Sequence, residues 1–330
     1  MSPVKTKTVN VASPVISELS TSATSLASDA SPSNPDVLRT LYSVLLKTRL
    51  LEEQVLSLLR AGKIPGTLAP ALGGEATEVG ACIGLLPGDS FSSSKPKLVT
   101  DVVRGTPLPS VFAQLFHRDD QPAAKPTESM QVVPQTASLT GQLNIAAGIA
   151  LAYRQLATTN VVVALADDGL AALGLWHEAA SLASGQRLPI VIVVENCEQS
   201  HPNGASAVQS DEDLRDRAEA YGFPGITVDG NDLVAVWRVT QESIHRARNG
   251  AGPTLIECRT WRWHAEADRS SANGTHGSKL RWQNDPLQHM EHYMRKRNLW
   301  KQLWKDEMVQ GYRTAINEAI RSVETNSPSR

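Results

Sequence analysis

The chain has 330 residues, of which 41% are hydrophobic and 20% are charged, and its formal net charge at pH 7 is −2. This size and composition suit a globular protein with a well-buried core, built as one large domain or two small ones. The near-neutral charge gives no reason to expect a nucleic acid or an anionic membrane as a partner. No apolar run is long enough to span a bilayer.

Residues 1–34 are rich in Ser, Thr, Ala and Pro and contain no Arg. They also lack a long apolar stretch, so they match neither a secretory signal nor a transit peptide. We expect residues 1–34 to be a disordered tail and residues 35–330 to form one domain. The composition leaves open whether the tail tethers a partner or is an idle extension.

The three cysteines, Cys82, Cys197 and Cys258, fit neither a disulfide framework nor a paired-cysteine metal site. An odd number of cysteines suits a reducing compartment, and a cytoplasmic location is therefore expected. Cys82 and Cys258 lie in apolar stretches, where a cysteine usually behaves as a small buried hydrophobic residue.

The amino-terminal half is predicted to be mainly helical. Asn34, followed by Pro and Asp, is a suitable cap for a first helix. Apolar residues at helical spacing predict helices over about 36–61, 75–86 and 109–116. Residues 117–136 are polar and contain proline, which is typical of a surface loop.

Beyond residue 140 the pattern alternates between helices and strands. The apolar runs NVVVALA and PIVIVVE predict buried strands, and the helix between them makes a βαβ unit, so a parallel sheet is expected. The predicted elements are helices over 141–156, 170–183, 211–222, 233–248 and 286–323, and strands over 160–166, 189–195, 226–228 and 254–262.

Residues 166–198, ADDGLAALGLWHEAASLASGQRLPIVIVVENCE, resemble the thiamine-diphosphate fingerprint. In that family a strand ends in Gly-Asp-Gly, a helix follows, and the next strand ends in Glu-Asn-Asn. Flanking segments, among them GQLNIAAGIALAY and GPTLIE, extend the similarity over about residues 36–325. The chain resembles the α subunits of pyruvate, branched-chain 2-oxo acid and acetoin dehydrogenases. The resemblance implies a three-layer α/β/α thiamine-diphosphate-binding fold with a mostly parallel sheet.

The resemblance also implies an oxidoreductase that acts on the oxo group of its donor with a disulfide as acceptor. The reaction would be oxidative decarboxylation of a 2-oxo acid, with the acyl group passing to the lipoyl arm of an acyltransferase component. The implied cofactors are thiamine diphosphate and Mg²⁺. The implied assembly is a heterotetramer with a β subunit, which supplies the glutamate that activates the cofactor.

Asp168 is the candidate metal ligand. A carboxylate between a buried strand and a helix N-terminus can hold Mg²⁺ that bridges to a diphosphate, although an Asp in this place can also serve only as a helix cap. The resemblance favours the metal and implies that the cofactor contacts Gly169 and Leu170. It further implies a backbone contact from Leu139.

The metal positions depart from the family pattern. Asp167 replaces the first Gly of Gly-Asp-Gly, and at about 5 Å its charge would repel a diphosphate by roughly 3 kcal/mol per unit charge unless it joins the metal. Cys197 replaces the Asn whose amide oxygen binds the metal, and a thiol is a poor ligand for Mg²⁺. Gln199 stands where a backbone carbonyl completes the site, and that carbonyl survives a change of side chain.

The substrate side departs as well. Lys95 is the candidate to replace a phosphate-binding Arg, without the two-pronged guanidinium. Gly74 stands where the family has Gln. The family's active-site His matches Glu266, and His264, two residues earlier, either takes its role or is a surface residue beside Trp263, which is the simpler interpretation.

Three hypotheses follow from these departures. The chain is a working α subunit, a non-catalytic paralogue that acts as scaffold or regulator of a β-like partner, or an enzyme of the same cofactor family with another substrate. The small residues of GQLNIAAGIALAY fit close contact with a partner helix as well as a packed core. Because the altered positions cluster at the cofactor and substrate while the scaffold segments match, we favour weak or absent catalysis by this chain alone.

Overall fold

The computed structural model describes residues 34–65, 71–93, 95, 97–117, 130–135, 139–169, 173–197, 214–261 and 284–325. The predicted tail, apart from Asn34, lies outside these residues. The helices are α1 Pro35–Arg60, α2 Glu75–Cys82, α3 Leu98–Val103, α4 Leu108–Leu115, α5 Leu139–Gln155, α6 Gly174–Gly185, α7 Leu214–Ala220, α8 Leu233–Arg248, α9 Pro286–Lys296 and α10 Gln302–Thr325. The strands are β1 Ser90–Ser93, β2 Gln131–Val132, β3 Val162–Asp167, β4 Ile190–Cys197, β5 Gly225–Asp229 and β6 Thr254–Thr260.

The six strands form one sheet in the order β2-β1-β3-β4-β6-β5, and every neighbouring pair is parallel. The first five residues of β3 and the first six of β4 are all buried, as expected for central strands that helices cover on both faces. The predicted parallel sheet is confirmed.

Alternate residues of the central strands point into two separate cores. Val163, Leu165, Val191 and Val193 pack in the core that includes α1, α2 and α8. Val162, Ala164, Ile192 and Val194 pack in the core that includes α5, α6 and α7. Because successive strand side chains point to opposite faces, helices lie on both sides of the sheet, and the three-layer α/β/α fold is confirmed.

The start of α1 follows the sequence prediction. The side chain of Asn34 accepts a hydrogen bond from the Asp36 backbone N–H at 2.9 Å, and Pro35 occupies the first turn, where its missing N–H costs nothing. The helix ends before Gly62, which has a φ of +67°. No helix in the described ranges combines the length and the apolar character needed to cross a bilayer.

Several elements differ from the sequence prediction. Strand β1 has the sequence SFSS, which lacks apolar alternation, and it is buried because it pairs with both β2 and β3. Strand β2 lies inside the predicted loop, and α3 was not predicted. The last predicted helix is two helices, and between them Asn298 has a left-handed φ of +57° that no helix interior tolerates.

Candidate functional site

The carboxyl ends of the parallel strands bring the sequence-predicted residues to one edge of the sheet. Asp167, the last residue of β3, is paired in register with Glu195 of β4. Cys197, the last residue of β4, is paired with Thr260 of β6. Asp168 follows directly after β3. In open parallel sheets this edge is where ligands bind, so it is the candidate site.

Asp168 is 6% exposed, and its Oδ1 accepts a hydrogen bond from the Gly169 backbone N–H at 2.7 Å. The helix predicted to begin at Leu170 begins instead at Gly174. Leu173 immediately before it has extended backbone, with φ −99° and ψ 146°, which interrupts the helix. The N–H groups at the start of α6 therefore lie farther from Asp168 along the chain than the sequence prediction placed them.

Lys95, predicted to bind phosphate, forms an ion pair with Glu195. The Lys95 side chain is 9% exposed and that of Glu195 is 0% exposed, so the pair is buried. The Lys95 backbone N–H donates to Ser93 Oγ at 3.0 Å, and the Gln135 amide donates to the Lys95 carbonyl. Both ends of Lys95 are thus held by this chain.

Glu195 was not singled out from the sequence, and Gly74 was noted only as standing where the family has Gln. Gly74 precedes α2, and a Cβ built on it would lie 2.6 Å from Glu195 Oε1. The signal for Glu195 was present, because a carboxylate that ends an otherwise apolar strand needs a charged or hydrogen-bonding partner. Which partner it has depends on the order of the strands and cannot be read from the chain.

Asn196 and Cys197 face different surroundings. Asn196 Nδ2 donates to Glu257 Oε1 at 2.7 Å, and Thr227 Oγ1 donates to Glu257 Oε2 at 3.1 Å, so Glu257 links strands β4, β5 and β6. Cys197 is 5% exposed. Cys82 and Cys258 are buried as predicted, and burial raises the pKa of the Cys258 thiol to about 12.

Behind Gly74 lies a buried group of charges. Arg49 pairs with both carboxylate oxygens of Glu75, and its Nη2 lies 3.1 Å from Asp285 Oδ1. Glu52 is 2% exposed, and burial, followed by the charges of Glu75 and Glu78, raises its pKa well above the ordinary value. No local pattern predicts that these groups meet beside the site, because Arg49, Glu75 and Asp285 are far apart along the chain.

Of the remaining predicted residues, only Leu139 lies in the part of the chain that the structure describes. Leu139 is the first residue of α5. Leu170, Gln199, His264 and Glu266 lie outside the described residues. Their roles stay predictions.

The described residues at this edge do not fit a magnesium-bound diphosphate. Mg²⁺ requires several oxygen ligands, and Cys197 offers a thiol. Within the described ranges, no group of three or more His, Cys, Asp or Glu side chains is placed to hold a metal. Lys95 is paired with Glu195, so its charge is already compensated within the chain.

Comparison with known proteins gives consistent matches. A family model described as dehydrogenase E1 component matches residues 43–329. The α subunit of acetoin:2,6-dichlorophenolindophenol oxidoreductase from Bacillus subtilis (strain 168) is 34% identical over 69% of this chain and 71% of its own length.

Two further relatives cover more of the chain. The pyruvate dehydrogenase E1 component subunit α of Acholeplasma laidlawii is 29% identical over 88% of this chain and 84% of its own. The 3-methyl-2-oxobutanoate dehydrogenase subunit α of Mycobacterium tuberculosis (strain CDC 1551 / Oshkosh) is 32% identical over 83% of this chain and 75% of its own.

Proposed function

Because the chain belongs to the dehydrogenase E1 component family, we propose that it acts as an α-subunit-like partner of a β-subunit-like chain and contributes structure or regulation rather than catalysis. The observation that carries this proposal is the set of side chains at the ends of β3 and β4. A thiol at Cys197, a second carboxylate at Asp167 and the neutralised Lys95 are each unfavourable for a magnesium–diphosphate group.

The outer surface of α5 and α6 supports a partner role. The inward residues Ala146, Ala147 and Ala150 pack in the core, whereas Ile145 is 39% exposed and a Cβ on Gly148 would meet nothing within 4 Å. Residues 141–152 contain no charged side chain. One face of this small-residue helix therefore packs in the core, and the opposite face is available for contact with a partner.

Helix α6 continues the same character. Leu175 and Leu182 are 36% and 39% exposed on a helix whose other face packs against α5 in the core. Exposed leucines on neighbouring helices that carry few charges are typical of a surface that a partner covers. We name Ile145, Gly148, Leu175 and Leu182 the α5–α6 face and propose that the β-like chain, or an assembly containing it, covers it.

The test is co-expression with a dehydrogenase E1 β-subunit-like chain from the same organism, followed by size-exclusion chromatography with light scattering. We expect a stable complex that Gly148→Arg disrupts. Gly311→Arg is the matched control, since Gly311 is also an open, exposed glycine within a helix, on α10. A chain that stays alone, or that loses the complex equally with both variants, would overturn the proposed partner role.

One observation favours a second candidate, a working α subunit: Asp168 is buried directly after the strand that the fingerprint predicts to carry the metal ligand. That assembly would perform oxidative decarboxylation of a 2-oxo acid and pass the acyl group to a lipoyl arm. The purified complex should be assayed with the 2-oxo acids pyruvate and 3-methyl-2-oxobutanoate. Turnover that depends on thiamine diphosphate and that Asp168→Ala abolishes would establish this function in place of the first.

A further inference from the structure

We propose that Glu195 is a built-in anion that occupies Lys95 and closes the cationic end of the site to phosphate-bearing ligands, with Gly74 providing the space this requires. The inference concerns the same edge of the sheet and rests on the proposed non-catalytic function. Its first support is the ion pair itself, in which Lys95 is 9% and Glu195 0% exposed.

The Lys95–Glu195 pair spans the carboxyl end of the sheet and is not a contact between neighbouring residues. Lys95 follows β1, and Glu195 belongs to β4, whereas β3 lies between these two strands. The side chain of Lys95 therefore reaches across the carboxyl end of β3, the strand that ends in Asp167. An anionic ligand that approaches the end of β3 would find the positive charge of Lys95 already paired with Glu195.

Gly74 is required by space and not by backbone conformation. Its φ is −107°, which any residue adopts. A Cβ at this position would lie 2.6 Å from Glu195 Oε1, 3.3 Å from Thr260 Cγ2 and 3.4 Å from the Ala71 carbonyl oxygen. Only the Glu195 contact is shorter than real side chains tolerate, and it involves the movable end of a side chain. Any other residue at position 74 would push the Glu195 carboxylate away from its present place.

The charges around the pair favour its closed form. If a phosphate took Lys95, the fully buried Glu195 carboxylate would lose this ion pair while remaining in register with Asp167. Removing one member of a buried ion pair leaves a charge that the protein interior stabilises poorly. A phosphate-bearing ligand therefore has to displace the Glu195 carboxylate from Lys95 before it can bind there.

Variants that remove or displace the Glu195 carboxylate should open the site to phosphate-bearing ligands. Titration calorimetry of inorganic pyrophosphate into the full-length chain, with Mg²⁺ present, should show no binding at millimolar concentration for the unchanged protein. Glu195→Gln removes the competing charge, and Gly74→Ala displaces it while keeping both charges, so each should tighten binding at least tenfold. Adding Lys95→Met to either variant should return it to the starting behaviour.

Glu257→Gln is the matched control. Glu257 is also a buried carboxylate, but it lies in the middle of β6 and bonds to Asn196 and Thr227, so this change should leave pyrophosphate binding unchanged. Tight binding by the unchanged protein, or a gain that survives Lys95→Met, would overturn the inference.

A measurement on the unchanged protein tests the burial of Lys95 even if the variants do not fold. Acetic anhydride labelling followed by mass spectrometry should modify Lys95 at least tenfold more slowly than Lys63, whose side chain is 53% exposed in a surface ion pair. Equal labelling of the two lysines would also overturn the inference. Neither measurement involves the β-like chain, so their failure is distinguishable from failure of the partner role.

Discussion

Asp89 and Arg248 form a two-point ion pair at the amino-terminal edge of the sheet, opposite the candidate site. Arg248 Nη2 lies 2.7 Å from Asp89 Oδ2, and Nη1 lies 3.0 Å from Oδ1. Asp89 is fully buried and also accepts hydrogen bonds from the backbone N–H groups of Leu86 and Val161. The pair ties the end of α8 to the start of β1 and of β3.

Arg248→Met should lower the free energy of unfolding by about 3 kcal/mol, because it leaves the buried Asp89 carboxylate without its charged partner. Arg248→Lys should lower it by less than Arg248→Met, because lysine keeps a positive charge beside Asp89. It should still cost some stability, because one ammonium replaces only part of the two-point contact. Urea unfolding gives both values. Lys63→Met, which breaks the exposed pair with Glu324, is the control and should cost less than about 1 kcal/mol. Equal losses from both pairs would contradict this account.

Glu52→Gln should stabilise the protein, and more so at pH 8 than at pH 5. Burial and the neighbouring Glu75 and Glu78 raise the pKa of Glu52, so the folded state holds this proton to higher pH than the unfolded state. Stability is therefore lost as pH rises from the ordinary carboxyl pKa through the folded pKa, and glutamine removes that loss. We expect a gain on the order of 1 kcal/mol at pH 8 in urea unfolding.

Glu318→Gln, an exposed position on α10, is the control for the Glu52 experiment and should leave the pH dependence unchanged. A Glu52 variant that is less stable than the unchanged protein at pH 8 would show that the ionised carboxylate is favourable where it lies.

Cys197→Asn should tighten Mg²⁺-dependent thiamine diphosphate binding at least tenfold, which corresponds to about 1.4 kcal/mol. The amide supplies an oxygen ligand of the kind Mg²⁺ prefers, in place of a thiol. Calorimetry with the β-like partner present measures the change, and Cys197→Ala, which removes the thiol without adding oxygen, should give no gain. An asparagine variant that behaves like the alanine variant would shift the main obstacle to Asp167 or to the Lys95–Glu195 pair.

Asp168→Ala should abolish whatever binding Cys197→Asn provides, because Asp168 is the buried carboxylate that directly follows β3. The double variant and the single Cys197→Asn variant should be compared by the same calorimetric titration. Asp167→Ala in the same background is the comparison, and it should strengthen binding by removing a repelling charge. Unchanged affinity after loss of Asp168 would rule it out as a metal ligand.

Removal of residues 1–33 should change the melting temperature by less than about 2 °C. Helix α1 is capped by its own Asn34, whose side chain accepts the Asp36 N–H at 2.9 Å, so its first turn needs nothing from the preceding chain. Thermal unfolding of the truncated and full-length chains tests this. A variant of the truncated chain with Asn34→Ala should lose about 1 kcal/mol through the missing cap. A drop of several degrees on truncation alone would mean that the tail contacts the domain.

The sequence alone determined the family and most of the fold. Continuous apolar runs and apolar residues at helical spacing are local properties, so β3, β4 and α8 were predicted close to their observed bounds, and the cap at Asn34 was predicted from three adjacent residues. Strand β1 was missed because SFSS has no apolar pattern, and the break at Asn298 was missed because a left-handed residue leaves little trace in periodicity.

The site was determined only in part by the sequence. Asp167, Asp168 and Cys197 could be placed at one edge, because strands of a parallel sheet end together. The pairing of Lys95 with Glu195 could not be predicted, since the two residues lie 100 positions apart in the sequence. They meet because the fold places β1 and β4 on either side of β3, and the Lys95 side chain reaches across the end of β3. Gly74 acquires its meaning in the same way: its missing Cβ matters only because tertiary packing brings the end of β4 against the start of α2. Helix caps, strands and helices depend on residues that are close in sequence, so the sequence alone predicts them. The partner of a buried charge depends on which strands the tertiary structure brings close together.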